Sequence, residues 1–181
     1  MERAVCNTSP LIFLSKLGRL SLLSGLFSEV SVPETVVREA LRSVEKHGDA
    51  LAIKAALEQG KLRAKPAPPV PKGGKTLQLL GLHEGELSAL LLAKKEKTRI
   101  VLVDDLAAIK AAKYMGLTPQ STPFLLLKAL KHGLLSFDEF KRALDGLLDQ
   151  NYRISPPLYR EILEKAQTLQ KNSAPAESKT R

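Results

Sequence analysis

Polar side chains that could bind a metal ion follow two apolar segments of the chain. Asn7 comes directly after Arg3–Cys6, and the pair Asp104 and Asp105 comes directly after Arg99–Val103. Amide and carboxylate oxygens are the ligands that hard divalent cations such as Mg²⁺ prefer. If the two segments are neighbouring parallel strands, their carboxyl ends lie at one edge of the sheet, where functional sites form. We therefore expect these side chains to meet there.

Two glutamates extend this set of acidic candidates. Glu39 stands among the apolar residues of a predicted helix, close to the face that should be buried, where a carboxylate needs compensation. Glu86 stands in the first turn of a later helix. Each acid also has a purely structural interpretation, because Asp104 or Asp105 could cap the helix that follows, and Glu84 or Glu86 could complement a helix dipole.

The elements that must position these residues alternate between strand and helix. This order predicts an α/β fold in which helices cover both faces of a central parallel sheet. The predicted strands are Arg3–Cys6, Glu29–Val32, Lys61–Ala64, Arg99–Val103 and Thr118–Ser121.

Local signals mark where several helices begin and end. Ser9 followed by Pro10 predicts a helix start with Ser9 as the N-cap. Gly18, Gly116 and Gly133 are typical of helix ends. Ser136 and Glu139 have the spacing of a capping box.

The domain prediction is one domain over residues 1–170 and a flexible tail over residues 171–181. The segment Lys65–Lys75 is rich in proline and glycine, and we interpret it as a loop because strands on both sides are needed for one sheet. Residues 61–75 hold five basic residues and no acid. They form either a solvated loop or a strip that contacts phosphates.

The net charge and the cysteine content indicate which partners and which kinds of site the chain can have. The formal net charge is +9 and the isoelectric point is near 9.7, which favours polyanionic partners such as RNA. Cys6 is the only cysteine, which excludes an intrachain disulfide and a cysteine-built zinc site, and we expect it in the core. The sequence has no secretion signal and no apolar run that would span a bilayer, so we expect a cytoplasmic protein without membrane contact.

Five ordered segments resemble the PIN-domain nucleases, in particular the branch of small prokaryotic proteins grouped with VapC-type toxins. The segments are NTSPLI at residues 7–12, LGRLSLL at 17–23, VPETVVRE at 32–39, GE at 85–86 and LVDDLAA at 102–108. No single segment is specific, whereas the ordered set is. The similarity covers most of residues 1–165.

The resemblance implies a three-layer α/β/α fold and a ribonuclease that uses Mg²⁺ or Mn²⁺. It places the four acidic positions of the family on Asn7, Glu39, Glu86 and Asp105, with Asp104 as the rival of Asp105. Thr8 and Ser9 match the hydroxyl positions that follow the first acid. An RNA substrate, an antitoxin protein and a homodimer are the partners that the resemblance implies.

Asn7 departs from this pattern, because the family typically has aspartate there. A neutral amide oxygen in place of a carboxylate should weaken the affinity for the metal. Two hypotheses follow from this departure. The first is a metal-dependent ribonuclease, with the toxin of a toxin–antitoxin pair as its more specific form. The second is a PIN-fold module with weak or no catalysis that binds nucleic acid or protein.

Overall fold

One sheet of parallel strands organises the amino-terminal part of the molecule. The computed structural model describes residues 1–44, 50–69 and 81–173. The strands found in these residues are β1 (Arg3–Cys6), β2 (Glu29–Pro33), β3 (Arg63–Lys65), β4 (Ile100–Leu102) and β5 (Thr118–Gln120). The sheet has the order β3-β2-β1-β4-β5, and every neighbouring pair is parallel. The prediction of a central parallel sheet is confirmed.

Helices connect the strands and flank the sheet, which gives the predicted three-layer α/β/α arrangement. Within the described ranges the helices between the strands are α1 (Thr8–Lys16), α2 (Leu22–Leu26), α3 (Glu34–Val44), α4 (Ala50–Glu58), α5 (Glu84–Lys95) and α6 (Leu106–Tyr114). The helices after the last strand are α7 (Thr122–Lys131), α8 (Phe137–Asp149) and α9 (Pro156–Ser173). The helix ends predicted at Gly18, Gly116 and Gly133 are confirmed, and each of these glycines has a positive φ that side chains rarely adopt.

The order of the strands reverses at the centre of the sheet. β1 pairs with β2 on one side and with β4 on the other, with Cys6 opposite Leu102. The chain therefore leaves β1 and β4 at the same edge and toward opposite sides of the sheet. Parallel sheets open a crevice at such a point, beyond the carboxyl ends of the strands. Asn7 and Asp104 follow the two strands that border this crevice.

Apolar burial explains why these segments form the interior. Ile100, Val101 and Leu102 are all buried, as expected for a strand of a parallel sheet that is covered on both faces. Residues 85–93 of α5 are buried without interruption, which is typical of a helix enclosed by other elements. Cys6 is 0% exposed, which confirms its predicted place in the core. Burial raises the pKa of its thiol well above the usual range, so the thiol stays protonated.

The start of α1 corrects the prediction that Ser9 is an N-cap. The N-cap is Asn7, two residues earlier, and the helix begins at Thr8. Pro10 is tolerated in the first turn because the first four N–H groups of a helix have no partner within it. The strand therefore passes into the helix without a loop, with Asn7 at the junction. The predicted strand Lys61–Ala64 is also displaced and spans Arg63–Lys65.

The chain divides into two compact units, Met1–Thr122 and Pro123–Arg181. The first contains the sheet, and the second contains α8 and α9. A single domain over residues 1–170 stays a prediction. Helix α9 continues to Ser173, past the predicted end of that domain. Residues 174–181 of the predicted tail and residues 70–75 of the predicted loop lie outside the described residues. In the described ranges, no helix is long and apolar enough to cross a membrane.

Candidate metal centre

Asn7 occupies the carboxyl end of β1, in the crevice beside β4. Its backbone N–H donates to the carbonyl oxygen of Leu102 at 3.0 Å, which extends the pairing of the two strands by one residue. The side chain is buried, with 3% of its surface exposed. Its amide oxygen, Oδ1, has no hydrogen-bond partner among the described residues. Buried acceptors without a hydrogen-bond partner are rare.

Thr8 and Glu39 join the first turn of α1 to α3. Thr8 Oγ1 donates to Glu39 Oε2 at 2.7 Å. Glu39 itself is exposed, whereas Val36 and Ala40 on the same helix are 0% exposed, so Glu39 lies at the border of the buried face. The carboxylate needs little compensation for burial because it reaches solvent at the mouth of the crevice. Thr8 is only 6% exposed and holds one oxygen of Glu39 from the inner side.

Side-chain oxygens of Asn7, Thr8 and Glu39 lie close to the backbone of Gly85. A Cβ atom at this position would lie 2.7 Å from Glu39 Oε2, 3.3 Å from Thr8 Oγ1 and 3.4 Å from Asn7 Oδ1. The first distance is too short for a real contact. Only glycine therefore lets the start of α5 approach these three oxygens so closely.

Glu86 follows Gly85 and lies in the interior, with 8% of its surface exposed. Its Oε2 accepts a hydrogen bond of 2.9 Å from the backbone N–H of His83. Burial raises the pKa of the Glu86 carboxyl above its usual range, and the charges of Asp105 and Glu39 raise it further, whereas the His83 N–H lowers it. Glu86 therefore lies within electrostatic range of both Asp105 and Glu39.

Asp105 caps α6, as the structural interpretation of this residue predicted. Its Oδ1 accepts from the backbone N–H groups of Ala107 at 2.7 Å and Ala108 at 3.0 Å. Its Oδ2 makes no hydrogen bond with the described residues. Capping therefore leaves one carboxylate oxygen available at the edge of the sheet.

Asp104 differs from Asp105 because both of its carboxylate oxygens accept hydrogen bonds from Thr122. Its Oδ1 accepts from the backbone N–H of Thr122 at 2.7 Å, and its Oδ2 accepts from the Thr122 hydroxyl, also at 2.7 Å. Both oxygens thus tie the end of β4 to the start of α7. Of the two aspartates, Asp105 is the one whose charge raises the pKa of Glu86. Ser9 is half-buried, and its part in the site stays a prediction.

The carboxylates alone do not form a closed ligand cluster. In residues 1–44, 50–69 and 81–173, no three side chains of histidine, cysteine, aspartate or glutamate are gathered closely enough to hold a metal ion. The amide oxygen of Asn7 is a further donor of the hard type that Mg²⁺ and Mn²⁺ bind. The buried, unpartnered Oδ1 and the neighbouring carboxylates together fit a divalent cation that keeps part of its water shell.

A cleft of about 460 Å³ adjoins the site on the side of α3. It is lined by residues of α3 and of the start of α5, namely Thr35, Arg38, Glu39, Arg42, His83, Glu84 and Gly85. These arginines were not predicted to be functional from the sequence. The available signal was the spacing of four residues between Arg38 and Arg42 and of three between Glu39 and Arg42, because residues spaced by three or four lie on one side of a helix. Gly85 was also missed as a packing residue, although it stands next to Glu86.

A family model covers nearly the whole chain. The model of the family DUF3368, which is a PIN domain, matches residues 3–168. The chain belongs to the PIN-domain family. PIN domains are generally nucleases and typically use divalent metal ions, which agrees with the acidic edge of this PIN domain. None of the curated proteins compared with this PIN domain matches it.

Proposed function

We propose that this PIN domain is a ribonuclease that uses Mg²⁺ or Mn²⁺ to hydrolyse phosphodiester bonds of RNA. The observation that carries the proposal is the unpartnered Oδ1 of Asn7, which meets the oxygens of Thr8 and Glu39 around Gly85. A buried acceptor without a donor costs roughly 1–3 kcal/mol. A cation beside Asn7 would remove this cost. The net charge of +9 supports a polyanionic substrate.

Asn7, Glu39, Glu86 and Asp105 are the residues that would hold the cation. Mg²⁺ is usually bound by few protein ligands and retains several waters, so a closed cage of carboxylates is not required. When bound, such a cation supplies a water of lowered pKa and stabilises charge on the leaving oxygen.

The contribution of the chain is to hold these oxygens in place before substrate arrives. Backbone N–H groups fix Glu86 and Asp105 at the starts of α5 and α6, and the Thr8 hydroxyl fixes Glu39. Helix N-termini carry partial positive charge, which offsets part of the repulsion between clustered carboxylates. Ligands held in this way lose little entropy on binding.

A second candidate function is a binding module with weak or no catalysis. Two observations favour it: Asn7 is neutral where the related pattern has a carboxylate, and the acidic side chains do not form a closed cluster by themselves. Such a module would hold RNA or a protein partner without cutting.

An RNA-cleavage assay with Mn²⁺ and with a chelator separates the two candidates. We expect the wild type to cut single-stranded RNA in the presence of Mn²⁺. We expect no cleavage when a chelator is added, and no cleavage by the variant Glu86→Gln. Calorimetry on the same protein measures metal binding directly. Cleavage that survives both the chelator and Glu86→Gln would refute the metal mechanism. Metal or RNA binding without cleavage would favour the binding module.

We further propose that the PIN domain is the toxin of a toxin–antitoxin pair, in the VapC-like branch, and acts in the cytoplasm as a homodimer. An antitoxin would then cover the acidic edge that holds Glu39 and Asp105. The test is whether the product of a small adjacent gene binds the PIN domain and stops cleavage. Light scattering gives the oligomeric state.

A further inference from the structure

The cleft beside the candidate metal centre contains two arginines, Arg38 and Arg42, together with the carboxylates of Glu39 and Glu84. Arg38 and Arg42 are one turn apart on α3, both are exposed, and both line the cleft. Neither forms an ion pair with a carboxylate in the parts of the chain that the structure describes. By contrast, Lys65 is paired with Glu29 and Glu96. The arginines are thus available to an anion from outside the chain.

The buried hydroxyl of Thr35 is an independent observation at the same cleft. Thr35 lies one turn before Arg38 and Glu39 on α3 and lines the cleft. Its Oγ1 is buried and has no hydrogen-bond partner among the described residues. Buried hydroxyls are normally satisfied, so this oxygen has hydrogen-bonding capacity that the described residues do not use.

The cleft is continuous with the metal centre because Glu39 and Gly85 belong to both. An anion held by the arginines therefore lies next to the place where hydrolysis is proposed. Arginine suits a phosphate at this position because its planar guanidinium group can donate two parallel hydrogen bonds to phosphate oxygens.

We propose that Arg38 and Arg42 bind the phosphodiester that neighbours the one being cut, and so position single-stranded RNA across the acidic edge. This inference rests on the proposed ribonuclease function. The arginines are positioning residues, because they contact a phosphate that does not react. Interactions that are equally strong in substrate and transition state lower KM and leave kcat unchanged.

The experiment uses the full chain and the variants Arg38→Gln, Arg42→Gln and the double variant. Arg99→Gln is the matched control, because Arg99 is exposed and precedes β4, at the opposite edge of the sheet. Affinity for a short single-stranded RNA is measured in chelator over a range of salt. Each cleft variant should reduce the slope of log K against log salt by roughly 0.7–1, and the control should not. With Mn²⁺, KM should rise roughly tenfold in the double variant at unchanged kcat.

Several results would overturn the inference. If the double variant binds and cuts RNA like Arg99→Gln, the cleft does not hold substrate, and the ribonuclease proposal stands. A fall in kcat at constant KM would mean that the arginines act on the reacting phosphate instead. Equal affinity of the wild type for a polyglutamate peptide, lost in the double variant, would assign the cleft to an acidic protein. If the wild type neither binds nor cuts RNA, both proposals fail.

Discussion

Thr8 Oγ1 donates a hydrogen bond of 2.7 Å to Glu39 Oε2. The bond connects the residue after the N-cap of α1 with the middle of α3, and the carboxylate that it holds is exposed. The bond therefore fixes one oxygen of the Glu39 carboxylate relative to α1.

Replacement of Thr8 by valine tests the importance of this contact. Thr8→Val keeps the shape and removes the hydroxyl, whereas Thr8→Ser keeps the hydroxyl. Loss of a group that orients a metal ligand typically costs about 10–100-fold in metal affinity or activity. We expect a loss in this range for valine and near-normal behaviour for serine, measured by Mn²⁺ calorimetry and RNA cleavage. Equal behaviour of the two variants would show that the bond does not orient Glu39.

A methyl group at Gly85 should displace Glu39. The new Cβ would lie 2.7 Å from Glu39 Oε2, and Glu39 can turn into solvent, whereas the neighbouring oxygens of Asn7 and Thr8 are buried. Alanine is also the better helix former. Gly85→Ala should therefore melt close to the wild type without metal and bind Mn²⁺ about tenfold less tightly or worse. Gly146→Ala in α8 is the control for a helical glycine. Undiminished Mn²⁺ binding by Gly85→Ala would contradict the close approach.

Substitution of Asn7 by aspartate should strengthen the metal site. The two side chains are nearly isosteric, so the packing should hardly change. The attraction between a carboxylate and a cation is stronger in a buried site than at a surface screened by water. In chelator, repulsion from Glu39, Glu86 and Asp105 should lower the melting temperature. Mn²⁺ should restore it, because binding to the native state stabilises that state. Cleavage should rise as well.

Asn151→Asp is the control for this substitution. It adds the same charge at an exposed turn after α8 and should change neither the response to Mn²⁺ nor cleavage. If Asn7→Asp behaves like Asn151→Asp, Asn7 is not a metal ligand and the assignment of the first acidic position is wrong.

Protonation of Asp145 should lower the stability of the second unit at acidic pH. Its carboxylate accepts from Lys141 Nζ at 2.8 Å and from the Tyr159 hydroxyl, which links α8 to α9. These two hydrogen bonds hold the Asp145 pKa below its ordinary value of 3.8. A carboxyl group whose pKa is lower in the folded than in the unfolded protein stabilises the fold when the pH is above its unfolded-state pKa. This stabilisation is lost as the pH falls through the folded-state pKa.

The measurement is urea unfolding of the wild type and of Asp145→Asn at pH 7 and at pH 3. The variant should be less stable at pH 7, and the difference should shrink at pH 3. Tyr159→Phe should lose roughly 0.5–1.5 kcal/mol at pH 7 for its hydrogen bond. Glu164→Gln, at an exposed position of α9, is the control. A stability difference between wild type and Asp145→Asn that is the same at both pH values would exclude this linkage.

Local sequence signals predicted the elements better than their ends. The alternation of strand and helix, the buried strand before Asp104 and the capping box at Ser136 and Glu139 are all confirmed. These features depend on neighbours within a few residues, so they can be recognised from one sequence. The N-cap of α1 was misplaced, because the pairing of Asn7 with Leu102 across the sheet decides where β1 ends.

The sequence by itself determined that Asn7 and the aspartates follow strands of a parallel sheet, since the chain direction follows from the alternation of strand and helix. That β1 and β4 are neighbours, so that these residues lie at one edge, was decided by the strand order of the folded sheet. Only the tertiary structure decided what each side chain does there. It assigned Asp104 to Thr122 and left one oxygen of Asp105 available. It also set Glu39 against Thr8 and Gly85. These contacts depend on the rotation and close packing of helices that are far apart in the chain, which local spacing does not encode.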